Sequence, residues 1–201
     1  MAPDVLLALV TFAFVTSITP GPNNLMLLAS GLNFGIRRTV PHMLGIGIGF
    51  TVMVLAVGLG LSGVFRAAPA LYEALKWVGA SYMLWLAWRI AHAGPVGESA
   101  EARGQPMSFL AAAAFQWVNP KAWVMAVTAN ATYAAAGSIT GVAIVAGVFG
   151  LVNLPSVSVW AAFGAGLRRL LANPRHVAWF NRAMAALLVL SLWPLAAGLL
   201  G

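Results

Sequence analysis

Two interrupted stretches carry the groups in this 201-residue chain that could do chemistry. Thr19, Pro20, Gly21, Pro22, Asn23 and Asn24 form the first, and Asn119, Pro120 and Lys121, flanked by Trp117 and Trp123, form the second. Each lies inside an apolar run. A proline there removes a backbone donor and crowds the preceding turn. Hydrocarbon offers no water to repair that loss, so irregular backbone at such depth must be buried against protein or line a wet cavity. Thr19 and Asn119 suit the N-cap of a restarting helix, with Pro20 and Pro120 as its first residue. The freed N–H groups and the positive end of the helix dipole attract anions. The chemistry on offer is capture of a carboxylate rather than the making or breaking of bonds, and no catalytic residue is assigned.

Lys121 sharpens this expectation, because an ionisable group within a membrane span is costly enough to imply a role. Its ammonium either pairs with a carboxylate ligand, hydrogen-bonds carbonyls orphaned by the first break, or snorkels along its stem toward a polar edge. The Asn23 and Asn24 amides either contact a ligand or cap broken backbone. Trp117 and Trp123 are candidates to wall a cavity or hold an ammonium over a ring face. Asn153, beside Pro155 and Ser156, is a further cavity candidate. Thr128 and Asn130 read as interhelical hydrogen bonders, and Trp77, Trp85, Trp88 and Trp193 as membrane-interface residues. Gly45, Gly47 and Gly49 read as a close-packing face, internal or at a homodimer seam. His42 is a lone titratable group near one helix end.

The elements that must position these residues follow from composition: 61% of the chain is hydrophobic and 7% charged, against roughly 25% charged in soluble domains. A bilayer span needs about 20 mostly apolar residues, and six such runs occur, near residues 5–31, 41–64, 69–90, 108–133, 139–165 and 177–199. The expected fold is an all-α integral membrane protein, with six transmembrane helices in two inverted three-helix repeats and broken first and fourth helices. Residues 1–92 form the first repeat, 93–107 a cytoplasmic linker and 108–201 the second repeat. Arg37, Arg38, Arg89, Arg103, Arg168, Arg169 and Arg175 fall in the first, third and fifth connections, whereas Arg66 and Lys76 lie by the second. Positive charge is retained in the cytoplasm, so both termini are expected to face outward. No basic n-region precedes the first apolar run, which is expected to be retained. An odd number of helices per half inserts the halves in opposite senses. The two restarts then face each other near the midplane, the construction of secondary transporters.

The residue inventory also excludes. The eleven Lys and Arg are scattered between apolar runs, which speaks against nucleic acid. The chain has no cysteine, three histidines and four acidic residues, and no Asp or Glu lies in a span interior. This set supplies neither a metal centre nor the nucleophile and base of an integral membrane enzyme, and no cofactor is expected. A cationic side chain on a ligand would lack a buried counter-charge, which favours small neutral ligands.

At these residues the sequence resembles the LysE/RhtB family of bacterial amino-acid exporters. The resemblance rests on "TPGPNNLMLLASGLNFGIRRT" with "LGIGIGF", on "LKWVGASYMLWLAWRI" and on "VNPKAW". It implies a multi-pass protein of the bacterial cytoplasmic membrane that exports amino acids or close relatives, driven by the proton gradient. The motif positions carried over are Pro20, Gly21, Pro22 and Asn23, and Asn119, Pro120 and Lys121. Distant relatives of the same superfamily export metal cations, the rival reading. The residues themselves place no proton-relay group.

Overall fold

The computed structural model describes residues 1–61, 67–93, 105–135, 137–170 and 173–193. The expected linker is therefore largely outside the described residues, as are Arg66, Arg103 and the end of the last apolar run. Helix is the only regular structure among the described residues. The elements are α1 (Pro3–Ile18), α2 (Pro22–Phe34), α3 (Ile36–Ala56), α4 (Pro69–Ala91), α5 (Phe109–Phe115), α6 (Pro120–Tyr133), α7 (Ile139–Leu170) and α8 (Pro174–Leu190).

The first apolar run is broken as expected: α1 and α2 meet at an angle of 54°. The restart differs by two residues from the sequence expectation. Pro20 and Pro22 each disfavour helical backbone in the residue before them. Gly21 is consequently fully extended, at φ −178° and ψ 177°, and the helix restarts at Pro22 with Gly21 as N-cap. Thr19 closes α1 instead of opening α2. The fourth run breaks as expected. Ser108 caps α5, its Oγ accepting from the Ala111 N–H. The chain then passes through one 3₁₀ turn, Gln116–Val118, and restarts at Pro120 behind Asn119.

Two elements are long and apolar enough to cross a bilayer unbroken. They are α3 with its following π turn, Ile36–Leu61, at mean hydropathy 2.3, and the Ile139–Arg168 part of α7, at 2.0. Helices α1, α2 and α3 all pack on α7, α3 also packs on α5, and α4 pairs with α8. Glycine allows the closest of these crossings. A Cβ on Gly31 would lie 2.1 Å from the Ala161 carbonyl oxygen, and one on Gly164 would lie 2.1 Å from that of Leu28. The α2 and α7 backbones therefore touch. Gly35, at φ 78°, supplies the left-handed turn from α2 into α3.

Gly45 and Gly49 abut α5, and Gly47 abuts Leu154 of α7, so this small-residue face packs within the chain. One apolar core gathers Phe50, Met53, Trp123, Ala126 and Phe149. A second gathers Met26, Met83, Leu86, Phe115 and Leu188. The outside is apolar as well: Leu110 is 75% and Leu151 79% exposed, which suits a lipid surround. Trp77, Trp85, Trp88 and Trp193 are exposed.

Candidate functional site

A helix that stops inside an apolar bundle leaves its last carbonyls without N–H partners. At the end of α1 side chains supply them. Asn24 Nδ2 donates to the carbonyls of Ser17 at 2.9 Å and Thr19 at 2.7 Å. Trp160 Nε1 donates to Ile18 at 3.0 Å. Lys121 Nζ donates to the Thr19 carbonyl at 2.8 Å, to Thr19 Oγ1 at 3.0 Å and to the Pro20 carbonyl at 3.3 Å. An ammonium has three donors, and here all three are used. Of the roles open to Lys121 from sequence, the one observed is capping of the first break by the second.

The two restarts differ. Asn119 is buried, and its Oδ1 accepts from the Lys121 N–H at 3.1 Å, so α6 carries its own cap. No side chain caps α2, whose N-cap is Gly21. Its first-turn N–H groups are free of side-chain partners and bear the positive end of the dipole. A Cβ on Gly21 would come within 2.7 Å of Lys121 Cδ, so the absent side chain is what lets the lysine stem cross. The breaks are also joined by a reciprocal amide pair. Asn23 Nδ2 donates to Gln116 Oε1 at 2.8 Å, and Gln116 Nε2 donates back to Asn23 Oδ1 at 3.2 Å.

Between these groups lies a cavity of about 20 Å³, the space of a single water. Gly21, Asn23, Asn24, Asn119, Lys121 and Asn153 line it, with Thr16, Ser17, Phe50, Met125 and Val157. Two buried acceptors beside it, Asn24 Oδ1 and Asn153 Oδ1, have no hydrogen-bond partner. Asn153 Nδ2 is tied to Ser17 Oγ at 3.1 Å, which holds its carboxamide in place. The site thus brings together N–H donors, an ammonium and two unpaired amide oxygens.

Of the remaining sequence candidates, Thr19 and Pro20 serve as acceptors for Lys121, while Pro22 and Pro120 set the two restarts. Trp117 and Trp123 do not line the cavity. Trp123 donates its indole N–H to the Trp117 carbonyl at 2.8 Å, and the rings meet edge to face at 6.4 Å. Asn130 does bridge helices, donating to the Val54 carbonyl at 3.0 Å. Sequence reasoning missed Gln116 and Ser17. Both had a signal: each is a polar residue in an apolar run within one helical turn of a break, where freed backbone needs partners.

Discontinuous helices whose ends meet around a small polar space, inside a bundle with an apolar exterior, define a membrane translocator. The LysE type translocator family model matches residues 14–200, and the chain belongs to that family, whose members are transporters and not enzymes. It is 38% identical over 134 residues to the cysteine/O-acetylserine efflux protein of Escherichia coli K12, covering 66% of this chain and 67% of that one. It is 37% identical over the same length and coverage to the protein of that name from Salmonella typhimurium LT2. No solved structure matches the chain.

Proposed function

We propose that the protein exports a small, uncharged-side-chain amino acid or its O-acyl derivative from the cytoplasm across the bacterial inner membrane. The observation that carries this reading is the cavity between the breaks, lined by both donors and unpaired acceptors. A zwitterion has a carboxylate and an ammonium a short distance apart. The uncapped α2 N-terminus and Lys121 suit the first, and the unpaired Asn24 Oδ1 and Asn153 Oδ1 suit the second. Phe50, Met125 and Val157 leave an apolar remainder fit for a short side chain. The names of the relatives, cysteine/O-acetylserine efflux proteins, agree with that class of ligand.

The proposed mechanism is alternating access around this site, with two inverted three-helix repeats rocking against each other and six spans in all. Reciprocal crossing supports the inverted relation: the second residue of each restart reaches the end of the opposite break, Asn23 to Gln116 and Lys121 to Thr19. The orientation proposed places the arginine-bearing ends of α3, α4 and α7 in the cytoplasm and both termini outside. At about 20 Å³ the site is too small for an amino acid, and on this reading it must expand to take its ligand.

The test is counterflow in proteoliposomes with labelled O-acetyl-L-serine, cysteine, serine, lysine and glutamate. Uptake of the first three and neglect of the charged pair is the expected outcome. No counterflow of any amino acid would overturn the proposal. Repeating the assay with an imposed pH gradient reads the coupling ion.

A further inference from the structure

A second, larger cavity lies away from the breaks. Its volume is about 470 Å³, within the range of small-molecule sites. Helices α2, α3, α4 and α5 enclose it, and Met26, one turn beyond Asn23 on α2, belongs to its wall. Helix α2 is therefore a shared wall of the two spaces, with the Asn23–Gln116 amide pair standing on the side of the small one.

The polar groups of this cavity are unequally satisfied. Ser30 Oγ bonds Thr39 Oγ1 at 3.0 Å, and Asn33 exchanges hydrogen bonds with Asn181 at 2.9 and 3.1 Å. His42 lines the same cavity, is 2% exposed, and has no partner on either ring nitrogen. A buried imidazole without partners forfeits the hydrogen bonds it had in water, and such an exception calls for a ligand or an ordered water. The cavity rim carries the complementary charge. Arg89 is exposed, stacks on Trp85 at 5.0 Å from the ring centroid, and has one long contact, 3.5 Å, to the Gln105 carbonyl. No Asp or Glu is among the described residues that line the cavity. The Arg89 guanidinium at the rim attracts the carboxylate of an organic anion or zwitterion.

We infer that this cavity is a loading vestibule, a binding site separate from the small one at the breaks. It takes the carboxylate of the solute at Arg89 and a hydrogen-bonding group at His42 before transfer along α2. The inference rests on the proposed export of a small amino acid, and it adds a first station on the arginine-rich side. Arg37 and Arg38 start α3 there, and Arg168 of α7 comes close to Gly35.

The absence of cysteine allows a direct test. Ala111→Cys places one thiol in the vestibule wall and leaves His42 and Arg89 unchanged. Reconstituted protein is treated with an impermeant anionic methanethiosulfonate from each side, with and without O-acetyl-L-serine. Labelling is expected from the arginine-rich side only, and O-acetyl-L-serine slows it. His42→Leu or Arg89→Gln moves the protecting concentration up about tenfold, the scale of one charge-assisted hydrogen bond, and His42→Gln largely restores it. Half-saturation measured from the opposite side stays unchanged, which a general packing defect would not allow. A thiol that never reacts, or reacts equally fast with saturating O-acetyl-L-serine, overturns the vestibule. The labelling does not need turnover: protection without counterflow keeps the vestibule and removes export, whereas counterflow without protection does the reverse. Arg89 is at the exposed rim, so its variant serves if the His42 variant fails to fold.

Discussion

Replacing Lys121 by methionine keeps an unbranched chain beside Gly21 and removes all three donors. The Thr19 and Pro20 carbonyls, now held at 2.8 and 3.3 Å, lose their side-chain partner, although Asn24 still reaches Thr19 at 2.7 Å. A hydrogen bond from a charged group contributes about 1.5–3 kcal/mol. The ammonium is only half-buried, so the low end applies. Two carbonyl bonds then sum to about 3 kcal/mol, or roughly a hundredfold in the equilibrium between closed and opened break. Hydrogen exchange of peptides spanning residues 15–25 reads that equilibrium directly. The expected outcome is up to about a hundredfold loss of protection there, with no change in the α7 segment around the buried Val145 and Phe149. Counterflow should fall with it. Wild-type protection in Lys121→Met would refute the capping argument; if half-saturation alone rose, the lysine would be a ligand group and not a structural one.

Three further outcomes follow from the same geometry. Asn153→Leu removes an unpaired acceptor from the cavity and the donor to Ser17, so half-saturation for the zwitterion should rise about tenfold, and competition by propionate, which has no ammonium, should be unaffected. Gly164→Ala drives a methyl into the Leu28 carbonyl, a backbone atom that cannot swing aside; at 1–3 kcal/mol or more for overpacking, the monodisperse fraction on size-exclusion chromatography should drop. Asn119→Ser keeps a cap on α6 and should retain most counterflow, whereas Asn119→Ala, at about 0.5–2 kcal/mol for a lost cap, should lose most of it while still inserting.

How much of this was legible beforehand depended on whether a residue's partner was local. The breaks themselves were readable from local sequence, Pro20-Gly21-Pro22 at the first and Asn119-Pro120 at the second, where an N-cap residue precedes the proline; Pro41 and Pro155, without that pattern, lie inside unbroken helices. That Asn119 caps α6 was readable for the same reason: its partner, the Lys121 N–H, is two residues away. The expected start of α2 at Pro20 failed because Pro22 disfavours helical backbone in the residue before it, and Gly21 is extended. The tryptophans were misjudged as cavity walls because the ring's destination depends on tertiary packing. Trp123 turned back onto Trp117, whereas Trp160, which nothing in the sequence singled out, reached the Ile18 carbonyl across 142 positions. Gly45, Gly47 and Gly49 marked a contact without naming its partner, which proved to be α5 and α7.

The unlike capping of the two restarts bears on how binding would drive movement. Helix α6 is satisfied by its own Asn119, and its lysine is spent on the other half. Helix α2 has no side-chain cap and can offer N–H groups at no cost to the fold. On the proposed reading, a carboxylate is drawn first to α2, because those donors are free. To gain the ammonium as well, it must outcompete the Thr19 and Pro20 carbonyls for Lys121, and each bond it takes releases one that ties the halves together. A ligand shifts a conformational equilibrium only by its differential affinity for the two states. On that reading the difference has a local source: Lys121 is saturated by protein acceptors in this structure, and an expanded state would free it. The same ammonium that stabilises the empty, closed break would then reward its opening once a carboxylate is present. A neutral analogue such as the methyl ester should consequently bind weakly and fail to accelerate exchange in residues 15–25, while the free acid should do both.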